Sequence, residues 1–216
     1  MLKIGLIVGS TRPNRFADVP VRWIVEAATA RRDLRLEVLD LRDQDLPFYD
    51  EPAPAHHTGG VFTRPEAEAW RHRVGAFDGF IATAAEYNYG PTAVLKNAFD
   101  TASNEWKRKP IAFVGYGGVG GARAIETLRS ITSALQMAPI VHGVNISMEP
   151  YLGIVQQGRA LDDYPYLVQA RDGMFENLVW WGEALKAARE RGDQQPPSKF
   201  DAELTKRLLA SGVANG

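Results

Sequence analysis

The sequence predicts a doubly wound α/β fold, a five-stranded parallel sheet in the order 2-1-3-4-5 with helices on both faces. Three observations predict it. Short apolar stretches without strict alternation, the mark of strands covered on both sides, take turns with segments of helical periodicity. The chain has 216 residues, enough for one large α/β domain and too few for two comfortable ones. The turns after the first, third and fourth strands are rich in Gly, hydroxyl and aromatic residues, and ligands of such sheets sit at the carboxyl ends of the strands beside the switch in strand order.

The elements follow in order. Leu2 to Val8 is an apolar run ending in Gly9-Ser10, a strand buried on both faces. From about Phe16 to Ala30 the residues Val21, Ile24, Val25 and Ala28 share a helix face, and Pro20 is tolerable only in a first turn, whose amides are free anyway. Leu34 to Leu41 alternates as a second strand. Asp43 to Pro65 is Pro-rich and aperiodic, and a loop of that length is expected to be functional or mobile. A helix is expected over Pro65 to Gly75, a third strand over Phe77 to Ala84 and a helix over Thr92 to Ala102. A fourth strand covers Pro110 to Gly115, a helix Gly120 to Met137, and a fifth strand Pro139 to Ser147. The last long helix, Leu161 to Arg189, carries the stripe Leu167, Ala170, Met174, Leu178, Trp181, Leu185. Residues 1–190 thus form the domain. Residues 191–216 are a Gly- and Pro-containing linker and a tail helix opened by a capping box at Ser198-Lys199-Phe200-Asp201, with Phe200, Leu204 and Leu208 on one face.

Composition narrows the function. Lys and Arg total 25 against 26 Asp and Glu, so no basic footprint for nucleic acid or an anionic membrane exists. There is no cysteine, which excludes disulfides, thiolate metal sites and a Cys nucleophile. The opening MLKIGLIVGS lacks a basic n-region and a small-residue cleavage site, and no apolar run approaches the ~20 residues of a bilayer span. A cytoplasmic address is expected.

Three loops carry the chemistry. Gly9-Ser10-Thr11-Arg12-Pro13-Asn14-Arg15-Phe16 brings hydroxyls, two guanidinium groups and a helix start to one point, a combination suited to a phosphate; the alternative is a solvated turn whose Ser and Thr satisfy nearby amides. It is neither a Gly-Lys-Ser/Thr nucleotide loop nor a Gly-x-Gly-x-x-Gly turn. In Ala85-Glu86-Tyr87-Asn88-Tyr89-Gly90-Pro91 two tyrosines flank an amide, which suits a flat heterocycle; the alternative is a turn whose aromatics pack inward. Gly115-Tyr116-Gly117-Gly118-Val119-Gly120-Gly121 does contain Gly-x-Gly-x-x-Gly. It follows the fourth strand, however, and no acidic residue lies between Glu126 and Glu149, so a dinucleotide turn is declined.

These residues, with Leu95-Lys96-Asn97-Ala98-Phe99-Asp100 and Gly120-Gly121-Ala122-Arg123, resemble the NADPH-dependent FMN reductases, flavodoxin-like flavoenzymes that include chromate, quinone and azo-dye reductases. The resemblance covers about residues 1 to 150. It implies that Ser10, Thr11, Arg12, Arg15 and Phe16 hold the FMN phosphate, that Glu86, Tyr87, Asn88 and Tyr89 line the isoalloxazine, and that Gly115, Tyr116, Gly117 and Gly118 border its pyrimidine edge. Two departures stand out: Ala85 where the family usually has Pro, and Gly115 where it often has Ser. The implied activity passes two electrons from NADPH or NADH through FMN to a small acceptor such as a quinone, free flavin, azo compound or metal oxyanion. The flavin carries that chemistry and needs no side-chain base, so no catalytic residue is assigned. A non-enzymatic FMN electron carrier is the alternative; such carriers tend to be strongly acidic, and a net charge of -1 speaks against it.

Other residues carry less. His56-His57 has no third ligand at a recognisable spacing, so no metal is expected. Gly-x-Ser-x-Gly is absent, and Lys96 reads as structural. Trp180 beside Trp181 offers aromatic area on more than one side of the last helix, which together with the resemblance predicts a homodimer or homotetramer.

Overall fold

The computed structural model describes residues 1–55 and 60–192. The His56-His57 pair and the expected tail helix lie outside the described residues. Among the described residues there are six strands: β1 (Leu2–Val8), β2 (Leu34–Asp40), β3 (Gly79–Ala85), β4 (Pro110–Tyr116), β5 (Ala138–Pro139) and β6 (Val144–Ile146). The helices are α1 (Asp18–Thr29), α2 (Pro65–Gly75), α3 (Ala93–Asp100), α4 (Ala122–Ala134), α5 (Met148–Gln157) and α6 (Pro165–Glu190). All pairings in the sheet are parallel and the order is β2-β1-β3-β4-β5, with β6 also on β4. This is the expected doubly wound, flavodoxin-like order.

Strand alternation divides the interior into two cores. Leu2, Ile4, Leu6 and Val8 of β1, Ile81 of β3 and Val114 of β4 face α1, α5 and α6, where Trp23, Ile24, Ile154, Leu167, Met174 and Phe175 meet them. Ile7, Phe80, Ala82, Ile111 and Phe113 point the other way, onto α2, α3 and α4 through Trp70, Leu95, Phe99 and Leu128, and onto Trp106 of the short turn Asn104–Trp106. Each sheet face is therefore covered by three helices, and continuous apolar strands are what that arrangement demands.

The fifth strand differs from expectation. It is not one run over Pro139 to Ser147 but two short pieces on the same edge of β4. Ile111 pairs with Pro139 and Val114 with Val144, so two residues of β4 face four of the edge strand. Arg129 of α4 donates to the carbonyls of Ile140 (2.8 Å) and Val141 (3.0 Å), and Val141 turns outward, 83% exposed. An edge strand can afford such a bulge because one side has no ladder to keep. Helix α5 was not foreseen at all, and α6 begins at Pro165, preceded by a single tight turn over Leu161–Asp163. The long loop from Asp43 is held by Asn97, which accepts from the Tyr49 amide at 3.0 Å and donates to the Pro47 carbonyl at 2.8 Å.

At the amino ends of the strands a closed polar cluster ties α6 to the sheet. Asp78 accepts from the Lys3 amide and Lys186 at 3.0 Å each and from Arg189 at 3.3 Å. Lys109, 6% exposed, donates to the carbonyls of Val74 and Gly75 at the end of α2.

Candidate functional site

The three unusual loops leave β1, β3 and β4 at their carboxyl ends and enclose a cleft of about 300 Å³. Its wall includes Ser10, Arg12, Arg15, Phe16, Glu86, Tyr87, Tyr116 and Gly117 from the expected set. Thr11, Asn88, Tyr89, Gly115 and Gly118 fall outside the lining. Asn14, Ala85, Met148 and Tyr151 line it without having been expected.

The first loop is fixed where it leaves β1. The Gly9 amide donates to Thr83 Oγ1 at 2.9 Å, and Thr92 Oγ1 donates to the Gly9 carbonyl at 2.5 Å while accepting from the Leu95 amide to cap α3. A Cβ on residue 9 would run into the Thr83 carbonyl oxygen, so this close crossing requires glycine. Thr83 and Thr92 are thus the residues that aim the loop.

Arg15 closes the loop from beneath. Only 8% exposed, it donates to the Ser10 carbonyl, to both carboxylate oxygens of Asp40 at the end of β2 and, through Nε at 2.8 Å, to Asp18. Burial alone would lower the guanidinium pKa, but Asp40 and Asp18 more than offset it and the net shift is upward. Burial likewise raises the Asp40 carboxyl, yet hydrogen bonds from Arg15 and Arg42 win and hold it down at about 2. The Arg15 fork is therefore committed to carboxylates. Arg12, by contrast, is exposed, makes no ion pair among the described residues and stands 5.9 Å from the centroid of the Tyr87 ring.

The second loop is a tight hairpin tip. Tyr87 and Gly90 exchange amide bonds of 2.9 and 3.0 Å, and Asn88 (φ 48°) and Tyr89 (φ 70°) both adopt left-handed backbone, as a type I′ turn demands. A left-handed tyrosine is costly, and Arg123 compensates by stacking 3.9 Å from its ring centroid. The Glu86 carboxylate accepts from the Arg123 amide at 3.1 Å and Nε at 2.7 Å, capping α4, whose own cap residue Gly121 has no side chain to do so. Burial pushes the Glu86 pKa up, but Arg123 outweighs it and the net shift is downward. Glu86 is thus ionised and turned to α4, leaving its backbone beside the cleft.

The third loop begins at Gly115, which lies inside β4. A Cβ there would collide with the Gly120 carbonyl and Ile125, so a serine at this position would have no room. Tyr116 follows, with its ring 5.4 Å from Phe16, and Phe16 in turn lies 4.8 Å from Tyr151. Met148 and Tyr151 come from α5. The one signal for that helix is Ser147-Met148-Glu149-Pro150, a cap residue with an acid and a proline in the first turn.

The cleft therefore gathers a guanidinium and three hydroxyls, those of Arg12, Ser10, Tyr87 and Tyr116, beside Glu86 and Gly117, a set that suits a phosphate joined to a planar ring. Among the described residues no cluster of His, Asp and Glu is placed to hold a metal ion, and no helix is long and apolar enough to cross a membrane. Comparison with known proteins identifies the family. The model of the NADPH-dependent FMN reductase family matches residues 2–150. An NAD(P)H-dependent FMN reductase of Schizosaccharomyces pombe is 34% identical over 62% of this chain and 68% of its own length. An NAD(P)H:quinone oxidoreductase of Solanum tuberosum is 34% identical over 75% of this chain and 80% of its own. Among solved structures, a flavoenzyme NAD(P)H:(acceptor) oxidoreductase from Paracoccus denitrificans superposes with a TM-score of 0.68 at 22% identity, covering 85% of this chain and 98% of that one, a likeness of fold.

Proposed function

The chain belongs to the NADPH-dependent FMN reductase family and with it to the FMN-dependent NAD(P)H oxidoreductases, and we propose that its FMN sits in the cleft at the carboxyl ends of β1, β3 and β4. The observation that carries this reading is the gathering of the Arg12 guanidinium and the hydroxyls of Ser10, Tyr87 and Tyr116 in one cleft. Bound there, FMN would supply the two-electron redox chemistry between NAD(P)H and an acceptor. Arg12 and Ser10 hold the phosphate, Arg12 by charge and fork geometry and Ser10 by its hydroxyl. Arg15 holds Ser10 in place through its carbonyl. The backbone of Glu86 and Tyr87, with Gly117, borders the ring.

The acceptor in this reading is a small planar oxidant of the quinone class, entering after the nicotinamide leaves, so that one open face serves both in turn. Quinone reductases among the relatives support that choice. Anaerobic mixing tests it: NADPH should bleach the flavin absorbance of the FMN-loaded protein, and a quinone should restore it. Bleaching without restoration would remove the quinone; no bleaching would leave only an electron carrier. A cytoplasmic address, where NAD(P)H is plentiful, is part of the same reading. So is a homo-oligomer, supported by Trp180 and Trp181, which stack edge-on at 5.3 Å on α6 and are 65% and 39% exposed. Light scattering at a mass near the 23.8 kDa of one chain would rule the oligomer out.

A further inference from the structure

The cleft contains a buried hydroxyl that the described residues leave without a hydrogen bond. Tyr116 ends β4 and is 8% exposed, and its hydroxyl oxygen is buried without a hydrogen bond among the described residues. Ser10, Tyr87 and Arg15 surround it. Burial pushes the phenol pKa upward, the neighbouring Tyr87 adds to the rise, and Ser10 and Arg15 only partly draw it back. The Tyr116 hydroxyl is therefore a donor at every working pH. Beside it the hydroxyls of Ser10 and Tyr87 lie 3.4 Å apart.

We propose that Tyr116 Oη, with Ser10 Oγ and Tyr87 Oη, forms a hydroxyl cradle for the terminal phosphate of FMN, so that Tyr116 selects the phosphorylated flavin over riboflavin. The proposal rests on the FMN reading above and moves Tyr116 from the pyrimidine edge, where the sequence resemblance puts it, to the phosphate. Three features carry it. A buried donor without a partner is costly, and a phosphate, which presents only acceptor oxygens at its free end, removes that cost. Arg15 is already neutralised by Asp40 and Asp18, so neutral donors must complete what Arg12 begins. The groups around Tyr116 Oη belong mainly to the loop after β1, not to the hairpin tip at Asn88 and Tyr89.

A second buried tyrosine provides the control. The Tyr164 hydroxyl is equally without a partner among the described residues, but Tyr164 packs into the core beside α5 and α6 and does not line the cleft. Purified protein, Tyr116→Phe and Tyr164→Phe are titrated with FMN and separately with riboflavin. Tyr116→Phe should bind FMN about tenfold to a hundredfold more weakly, the scale of one hydrogen bond to a charged group, with riboflavin affinity unchanged. Tyr164→Phe should change neither. Because the ring stays, Tyr116→Phe should unfold thermally no earlier than the parent. Unchanged FMN affinity in Tyr116→Phe, or equal losses for FMN and riboflavin, overturns the cradle while leaving FMN binding standing. A parent that binds neither flavin overturns both.

Discussion

The two ends of the sheet use the same chemistry to different purpose. At the amino ends the buried charges are paired or hydrogen-bonded. Asp78 has three partners, Lys109 donates to two carbonyls, and burial pushes the Lys109 pKa down to about 8, a cost borne to tie α2 and α6 to the strands. At the carboxyl ends only part of the polar inventory is spent. Arg15 and Asp40 close on each other, whereas Arg12 has no ion pair among the described residues, the Tyr116 hydroxyl has no partner, and Asn88 and Tyr89 sit in left-handed backbone. Polar groups that close among themselves are scaffold. Groups left open at the edge of a cleft, next to strained backbone, mark where a ligand completes the structure.

That contrast can be broken from either end. The largest effect is expected from Asp40→Ala, which leaves Arg15 buried and half-paired. Denaturant unfolding should show a loss of about 3 kcal/mol. Because Arg15 also holds the Ser10 carbonyl, FMN affinity should fall with it; a variant of parental stability would mean the pair is not scaffold. Acid tests the same residue without mutation. The Asp40 pKa is held at about 2, below the ordinary ~3.9 of an unfolded chain. Its contribution of about 2 kcal/mol is therefore present above pH ~4 and drains as the pH falls toward 2. In Asp40→Asn that part of the acid loss should vanish, which unfolding curves across the window would reveal.

Arg12→Ala should leave stability unchanged and weaken FMN by about 2 kcal/mol, a factor near thirty in the dissociation constant. Arg12→Lys should recover part of it, since the charge returns without the fork. If Arg12→Ala binds FMN like the parent, the phosphate lies elsewhere. The smallest effect belongs to the other end. Asp78→Asn should cost about 1 kcal/mol of stability, the scale of a partly exposed ion pair, and leave FMN affinity unmoved. A change in FMN affinity there would erase the distinction between the two ends.

The strand order and the carboxyl-end location of the cleft were legible in the sequence because apolar runs of seven residues and helical stripes are strong local signals. What was not legible depends on partners distant in sequence. The bulge between β5 and β6 is stabilised by Arg129, which nothing in the edge strand announces. Helix α5 spans only ten residues and contains Pro150 and Gly153, so its pattern is thin, and with it Met148 and Tyr151 were missed. The pairing of Arg15 with Asp40 crosses from one loop to the end of another strand, which periodicity cannot reveal. The motifs lie on the loops that form the cleft, but they could not tell which guanidinium is committed to carboxylates and which is left open.

The claim that the open polar groups at the carboxyl ends await FMN is tested most directly by equilibrium titration of the purified protein with FMN, followed by the quenching of flavin fluorescence. Saturation at one FMN per chain in the low micromolar range or below is the predicted result. Absence of binding at high micromolar FMN would contradict it.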